Sequence, residues 1–100
     1  MVAALNDGAA DVITAYSSDG ALAGADIVLL TDDRSALPSY DALLLAGPGR
    51  DDLVRRLARY EGRIPVDAMR VANWQADRPT GKRSPAQAAA WLAAETGLQP

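Results

Sequence analysis

The 100-residue chain contains no cysteine, no histidine and no phenylalanine. Without Cys there is no disulfide framework, no thiolate nucleophile and no Cys-ligated zinc. Without His, the serine triad, histidine acid–base chemistry and most transition-metal sites are excluded as well. Aromatics are scarce, with two Trp and three Tyr. Long apolar runs are missing too: none reaches the roughly 18 residues of a membrane span, and Asp26 interrupts the longest candidate. Positive charge is not in excess. Ten basic residues face 13 acidic ones, a net charge of −3, which argues against a broad phosphate-binding surface and against a nucleic-acid partner. The N-terminus offers neither a basic n-region nor a long h-region, since Met1–Leu5 runs straight into Asn6-Asp7-Gly8. It therefore does not read as a signal peptide, and the chain as it stands is expected in the cytosol.

What remains is ordinary globular material. Hydrophobic residues make up 49% and charged residues 23% of the chain, close to average usage, so wholesale disorder is not expected. The length suits one small domain with one modest core. Alanine is over-used, at 21 positions. No nucleophile–base pair can be assembled without His or Cys, so the composition points away from an enzyme and towards a binding or interaction module.

The patterning gives an order of elements. Residues 2–8 read as a short helix ended by Gly8. Asp11–Tyr16 is short and rich in β-formers, a strand. Ser17-Ser18-Asp19-Gly20 is turn or N-cap chemistry, followed by about one helical turn over 21–24. Ile27–Leu30 and Asp41–Ala46 are continuous apolar runs, the signature of strands buried on both faces. Thr31–Ser35 breaks the first, Pro38 keeps residues 37–40 extended, and Gly47-Pro48-Gly49 closes the second. The second half is helical. Leu53, Val54, Leu57 and Tyr60 share a face from Asp51 to Tyr60. Pro65 opens a helix with Ala68, Met69 and Ala72 on one side. Ser84-Pro85-Ala86-Gln87 is a capping box before a helix ending near Thr96 and Gly97. The early alternation predicts an α/β protein with few strands covered by helices. Such a sheet usually has more strands than this chain can supply.

Three segments in order carry a family resemblance: Asp11–Gly20, Asp26–Asp33, then Leu37-Pro38-Ser39-Tyr40-Asp41-Ala42. Arg63–Arg70, Asn73–Asp77 and Arg83-Ser84-Pro85-Ala86 extend it towards the C-terminus. The succession resembles the substrate-binding proteins of ABC importers for glycine betaine, choline and related osmoprotectants, over residues 4–94. Ser18, Thr31 and Ser39 stand where that family usually has Thr, Glu and Pro. The resemblance covers only the C-terminal third of the family's domain. It implies part of a two-lobed periplasmic-binding-protein type II fold, with residues 1–35 ending the second lobe and crossing the hinge. Residues 36–100 would then add a strand and helices to the first lobe. It also implies a quaternary-amine ligand, ABC permease subunits as partners of the intact protein, and an extracytoplasmic location for it. No cofactor is implied.

A quaternary ammonium group makes no hydrogen bonds at the cation and is held on aromatic faces. Tyr16 is the first candidate, at a strand end facing a turn, where α/β clefts open. The resemblance assigns it a place in the ligand cage. Ser17, Ser18 and Asp19 could contact a head group, or Ser18 or Asp19 could instead cap the next helical turn. Asp32-Asp33 after an apolar run suggests a second reading, a receiver-like magnesium site. It lacks the partner Asp and Lys of that site and reads better as a solvated hinge turn. Arg50, Arg55, Arg56 and Arg59 interleave with Asp51, Asp52 and Glu61, a solvated face. Trp74 and Trp91 are expected as core or interface anchors, and Tyr40 as packing at the lobe edge. A third reading is a non-catalytic interaction module that exposes the surface its missing half once covered. The apolar runs, wanting two-sided burial, predict a homo-oligomer.

Overall fold

The start of the last helix is fixed by the side chains that open it. The Ser84 hydroxyl accepts the Gln87 amide at 3.2 Å, and the Gln87 side-chain oxygen accepts the Ser84 amide at 2.9 Å. Two of the orphan N–H groups at the helix start are thereby satisfied. Pro85, which has no N–H to lose, takes the first position. The helix ends at Gly97, whose φ of 67° lets the Leu98 amide turn back onto the Ala93 carbonyl at 2.9 Å. A computed structural model describes residues 1–98 of the chain. Its elements are α1 (Val2–Asn6), a 3₁₀ turn over Gly20–Gly24, α2 (Asp51–Leu57) continued by a 3₁₀ turn at Ala58–Tyr60, α3 (Val66–Asp77) and α4 (Pro85–Thr96).

The helices follow the sequence pattern. Ala72 is buried on α3, with Ala68 and Met69 half-buried beside it. On α4 the buried residue is Ala88. Small side chains at these positions let α3 and α4 pack closely. The loop between them is tied back at its end: the Arg83 amide donates to the Gln75 carbonyl at 2.8 Å, and its guanidinium donates to the Gln75 side chain at 2.8 Å. Those bonds satisfy Gln75, which is 9% exposed.

The opposite face of α3 receives the Gly20–Gly24 turn, with Leu22 buried beneath it. Both glycines are required by proximity. A Cβ at Gly20 would sit 2.5 Å from the Trp74 backbone nitrogen, and one at Gly24 would sit 2.6 Å from the Trp74 ring. Trp74 is therefore the packing anchor expected of it. Trp91 is half-buried on α4.

The expected strands are the main correction. Among the described residues there is no strand, and no backbone hydrogen bond joins residues 11–15, 27–30 or 41–46 to other backbone. Val28 and Leu45, expected to be covered on both sides, are 84% and 92% exposed. The physical reason is that a strand is stable only as part of a ladder, and an apolar run predicts burial only if a neighbour exists to bury it. The described residues form helices and unpaired segments, without the expected sheet. Its radius of gyration, 16.3 Å, exceeds the roughly 13 Å of a compact 100-residue domain. No helix among the described residues is long and apolar enough to cross a membrane.

Candidate functional site

Tyr16 lies just ahead of the turn that leads to α3's partner. The Asp19 amide donates to the Tyr16 carbonyl at 2.9 Å, closing that turn. The Asp19 side chain accepts the Ala21 amide at 3.0 Å and so caps the Gly20–Gly24 turn. Of the alternatives for Asp19, capping is what the geometry gives it; one carboxylate oxygen is engaged. Two side chains of α3 reach the same stretch. Arg70 Nε donates to the Ser17 carbonyl and Asn73 Nδ2 to the Ser18 carbonyl, each at 2.8 Å. The Ser18 hydroxyl is left free of hydrogen bonds to the described residues, on a half-buried residue.

The ring of Tyr16 meets the ring of Tyr40. Their centroids are 6.1 Å apart and their planes stand at 70°, an edge-to-face pair. Both residues are open to solvent, at 67% and 75% exposed. Tyr40 is thus not edge packing but the second member of an exposed aromatic corner. Beside it the Ser39 hydroxyl donates to the Asp41 carboxylate at 2.7 Å. Sequence reasoning missed Tyr40 because nothing local signals a pairing across 24 positions. The one available hint was composition, for with so few aromatics any two that meet stand out.

Two of the three remaining aromatics are committed elsewhere. Trp74 covers Gly24. The Arg59 guanidinium lies 4.8 Å from the Tyr60 ring centroid and donates to its hydroxyl at 2.6 Å, so Tyr60 already holds a cation. Tyr60 also borders a groove of about 520 Å³ against α4, lined by Ile64, Ala89, Leu92 and Ala93. Arg50, Arg55 and Arg56 are exposed on and before α2, as a solvated face requires.

Asp32 is not arranged as a metal ligand. Its Oδ1 accepts the amides of Arg34 and Ala36 at 3.3 and 3.0 Å, and its Oδ2 accepts that of Leu37 at 2.8 Å. Both oxygens are turned onto their own loop, in which Ser35 takes a left-handed φ of 51°. The Leu37 amide first, then that of Ala36, hold the carboxyl below the ordinary carboxylate range. The pair Asp32-Asp33 is therefore a self-closed turn and not the acidic pocket of a receiver. A second open groove, about 640 Å³, runs between the unpaired segments 11–15 and 26–30.

Comparison with known proteins places this geometry in context. A sequence model of the substrate binding domain of ABC-type glycine betaine transport systems matches residues 1–94. Two curated relatives, each a carnitine transport binding protein OpuCC, come from Listeria monocytogenes serotype 1/2a (strain 10403S) and from Listeria monocytogenes. Each is 31% identical over 81 residues, covering 74% of this chain and 25% of the relative. The chain thus spans about a quarter of the length of the curated relatives it matches. No solved structure matches it.

Proposed function

Because the chain belongs to the family of substrate-binding domains of ABC-type glycine betaine transport systems, we propose that it contributes part of the binding site for a quaternary-amine osmoprotectant. The observation that carries the reading is the exposed Tyr16–Tyr40 corner, two rings set edge to face with planes at 70°. A trimethylammonium group presents a sphere of weakly hydrated positive charge, and two rings at an angle can cover it on two sides. Ser18, whose hydroxyl makes no hydrogen bond to the described residues, would contact the polar end of the ligand, and the second carboxylate oxygen of Asp19 would accept from a ligand hydroxyl such as that of choline. The intact protein would deliver glycine betaine, choline or carnitine to ABC permease subunits from the extracytoplasmic side, with no catalytic step and no cofactor. In it, residues 1–35 would finish the second lobe and pass through the hinge. Residues 36–100 would complete the first, in the type II periplasmic-binding fold. The unpaired segments 11–15, 27–30 and 41–46 would become strands there.

The corner is only part of a cage. At about 0.5–2 kcal/mol per cation–π contact, two rings alone support binding no tighter than millimolar. Titration of the chain with choline, followed by the NMR shifts of the Tyr16 and Tyr40 ring protons, tests this. Saturable millimolar shifts are expected, lost in Tyr16→Leu and in Tyr40→Leu but retained in Tyr40→Phe. Wild-type rings that do not respond to choline, or an undiminished response in both Leu variants, would refute the reading.

A second reading rests on a different observation, the exposed apolar residues of 28–30 and 43–45. They suit contact with a second copy of the chain, as a homo-oligomeric interaction module.

A further inference from the structure

We propose that Arg70 and Asn73 are positioning residues for Tyr16, holding its ring where Tyr40 meets it. The two carbonyls that follow Tyr16 in the chain, those of Ser17 and Ser18, are both taken by side chains of α3, from 53 and 55 residues away. Arg70 and Asn73 are one turn apart on α3, so their donors point to the same side of the helix. The next residue, Trp74, blocks the approach of anything but a glycine at position 20. Three successive contacts therefore fix the backbone from Ser17 to Gly20 on a rigid helix.

Arg70 is itself oriented. Its other arm meets the Asp67 carboxylate at 3.0 Å, three residues back on the same helix, while its Nε faces Ser17. The planar guanidinium serves both partners at once, which a lysine ammonium does with less directional control. Asn73 must donate at its amide nitrogen, because a carbonyl only accepts. Among the described residues Tyr40 has no such attachment to a helix: its neighbours Ser39 and Asp41 bond only to each other, and Leu37 is held by Asp32 of its own loop. Tyr16 is thus the fixed wall of the corner, and α3 is what fixes it. This deepens the function proposed above and rests on it for the ligand, but not for the geometry.

The test uses the whole chain and has a readout that needs no ligand. Inter-ring NOEs between Tyr16 and Tyr40 are measured in the wild type, in Arg70→Met, which keeps the stem, and in Asn73→Asp, which removes the donor at constant size. Far-UV circular dichroism reports α3. Loss of the NOEs in both variants with helicity retained, and their return in Arg70→Lys, is the expected result; choline should then bind at least about threefold more weakly to the two damaged variants. NOEs absent in the wild type, or unchanged in both variants, would overturn the inference. A wild type with NOEs but no response to choline would sink the ligand reading and leave the positioning role standing. Should Arg70→Met and Asn73→Asp lose helicity, Asp67→Asn decides. Its side chain is 82% exposed, so it tests Arg70's orientation without touching the core; weakened NOEs support the role and unchanged ones refute it.

Discussion

Replacing Gly20 with alanine should be the most damaging single methyl that can be added to this chain. The new Cβ would lie 2.5 Å from the Trp74 nitrogen, 2.7 Å from the Asn73 carbonyl carbon and 2.9 Å from the Trp74 Cα. All three are backbone atoms of α3, so no side-chain rotation relieves the overlap. Ordinary contact begins near 3.4 Å, and the 3₁₀ turn must therefore retreat from α3 by about 1 Å. That retreat uncovers Leu22 and stretches the 2.8 Å bond from Asn73 to Ser18. Overpacking of this kind costs about 1–3 kcal/mol, and a loss of about 2 kcal/mol raises the unfolded fraction roughly 30-fold. Few residues are buried here, so that is a large share of what holds the turn. Two further alanines calibrate the measurement. At Gly24 the overlap, 2.6 Å, is with the Trp74 ring, which can swing, so the loss should be smaller. At Gly47 nothing lies within 4 Å of the added Cβ, and the reduced freedom of the unfolded chain should leave stability unchanged or raised by about 0.4–1 kcal/mol. Urea unfolding followed by tryptophan fluorescence ranks the three. Gly20→Ala within about 0.5 kcal/mol of the wild type would show that the turn does not rest on α3 as described.

Three other expectations are independent of that contact. Ser84→Ala removes one half of the capping box and should lower stability by about 1 kcal/mol, visible as reduced helicity at 222 nm on heating. Asp32 has a lowered pKa in the folded chain, so its contribution is complete above the unfolded value and disappears as pH falls through the folded one. Protection of the Ala36 and Leu37 amides, measured against their intrinsic exchange rates, should be lost only under acid conditions, and Asp32→Asn should abolish that pH dependence. Light scattering should show mass rising with concentration, and Val28→Lys with Leu44→Lys should return the chain towards monomer; a monomer at all concentrations in the wild type would refute self-association through these segments.

The helical half was legible because its signals are local. Ser84, Pro85, Gln87 and Gly97 announce the limits of α4 within four residues of where they act, and the spacing of Ala68, Met69 and Ala72 gives the inner face of α3. Asp19 as a cap was equally readable, being two residues from the amide it accepts. The strands expected from the sequence depend on the opposite kind of signal. Ile27–Leu30 and Asp41–Ala46 carry the composition of buried strands, and the shortage of strands was legible too, but burial is conferred by partners, and composition does not say which segments go unpaired. Tyr16 was singled out by its place before a turn and by the resemblance, whereas Tyr40, Arg70 and Asn73 meet this stretch from far along the chain. No periodicity links those positions, so only the fold discloses them.

The clamp on Gly20 also sets an order of events during synthesis. The turn can settle only after Trp74 has been made, 54 residues later. At ordinary translation rates of 5–20 residues per second that is a wait of roughly 3–11 s. Over that interval the emerging segments around Val12, Val28 and Leu44 have no helix to lean on. α3 and α4, by contrast, are neighbours in sequence and can pair as soon as both are out, since nearby contacts form fastest. The turn thus waits for Asp77 and the α3–α4 pair for Thr96, and until α3 is out the apolar residues of the first half stay uncovered.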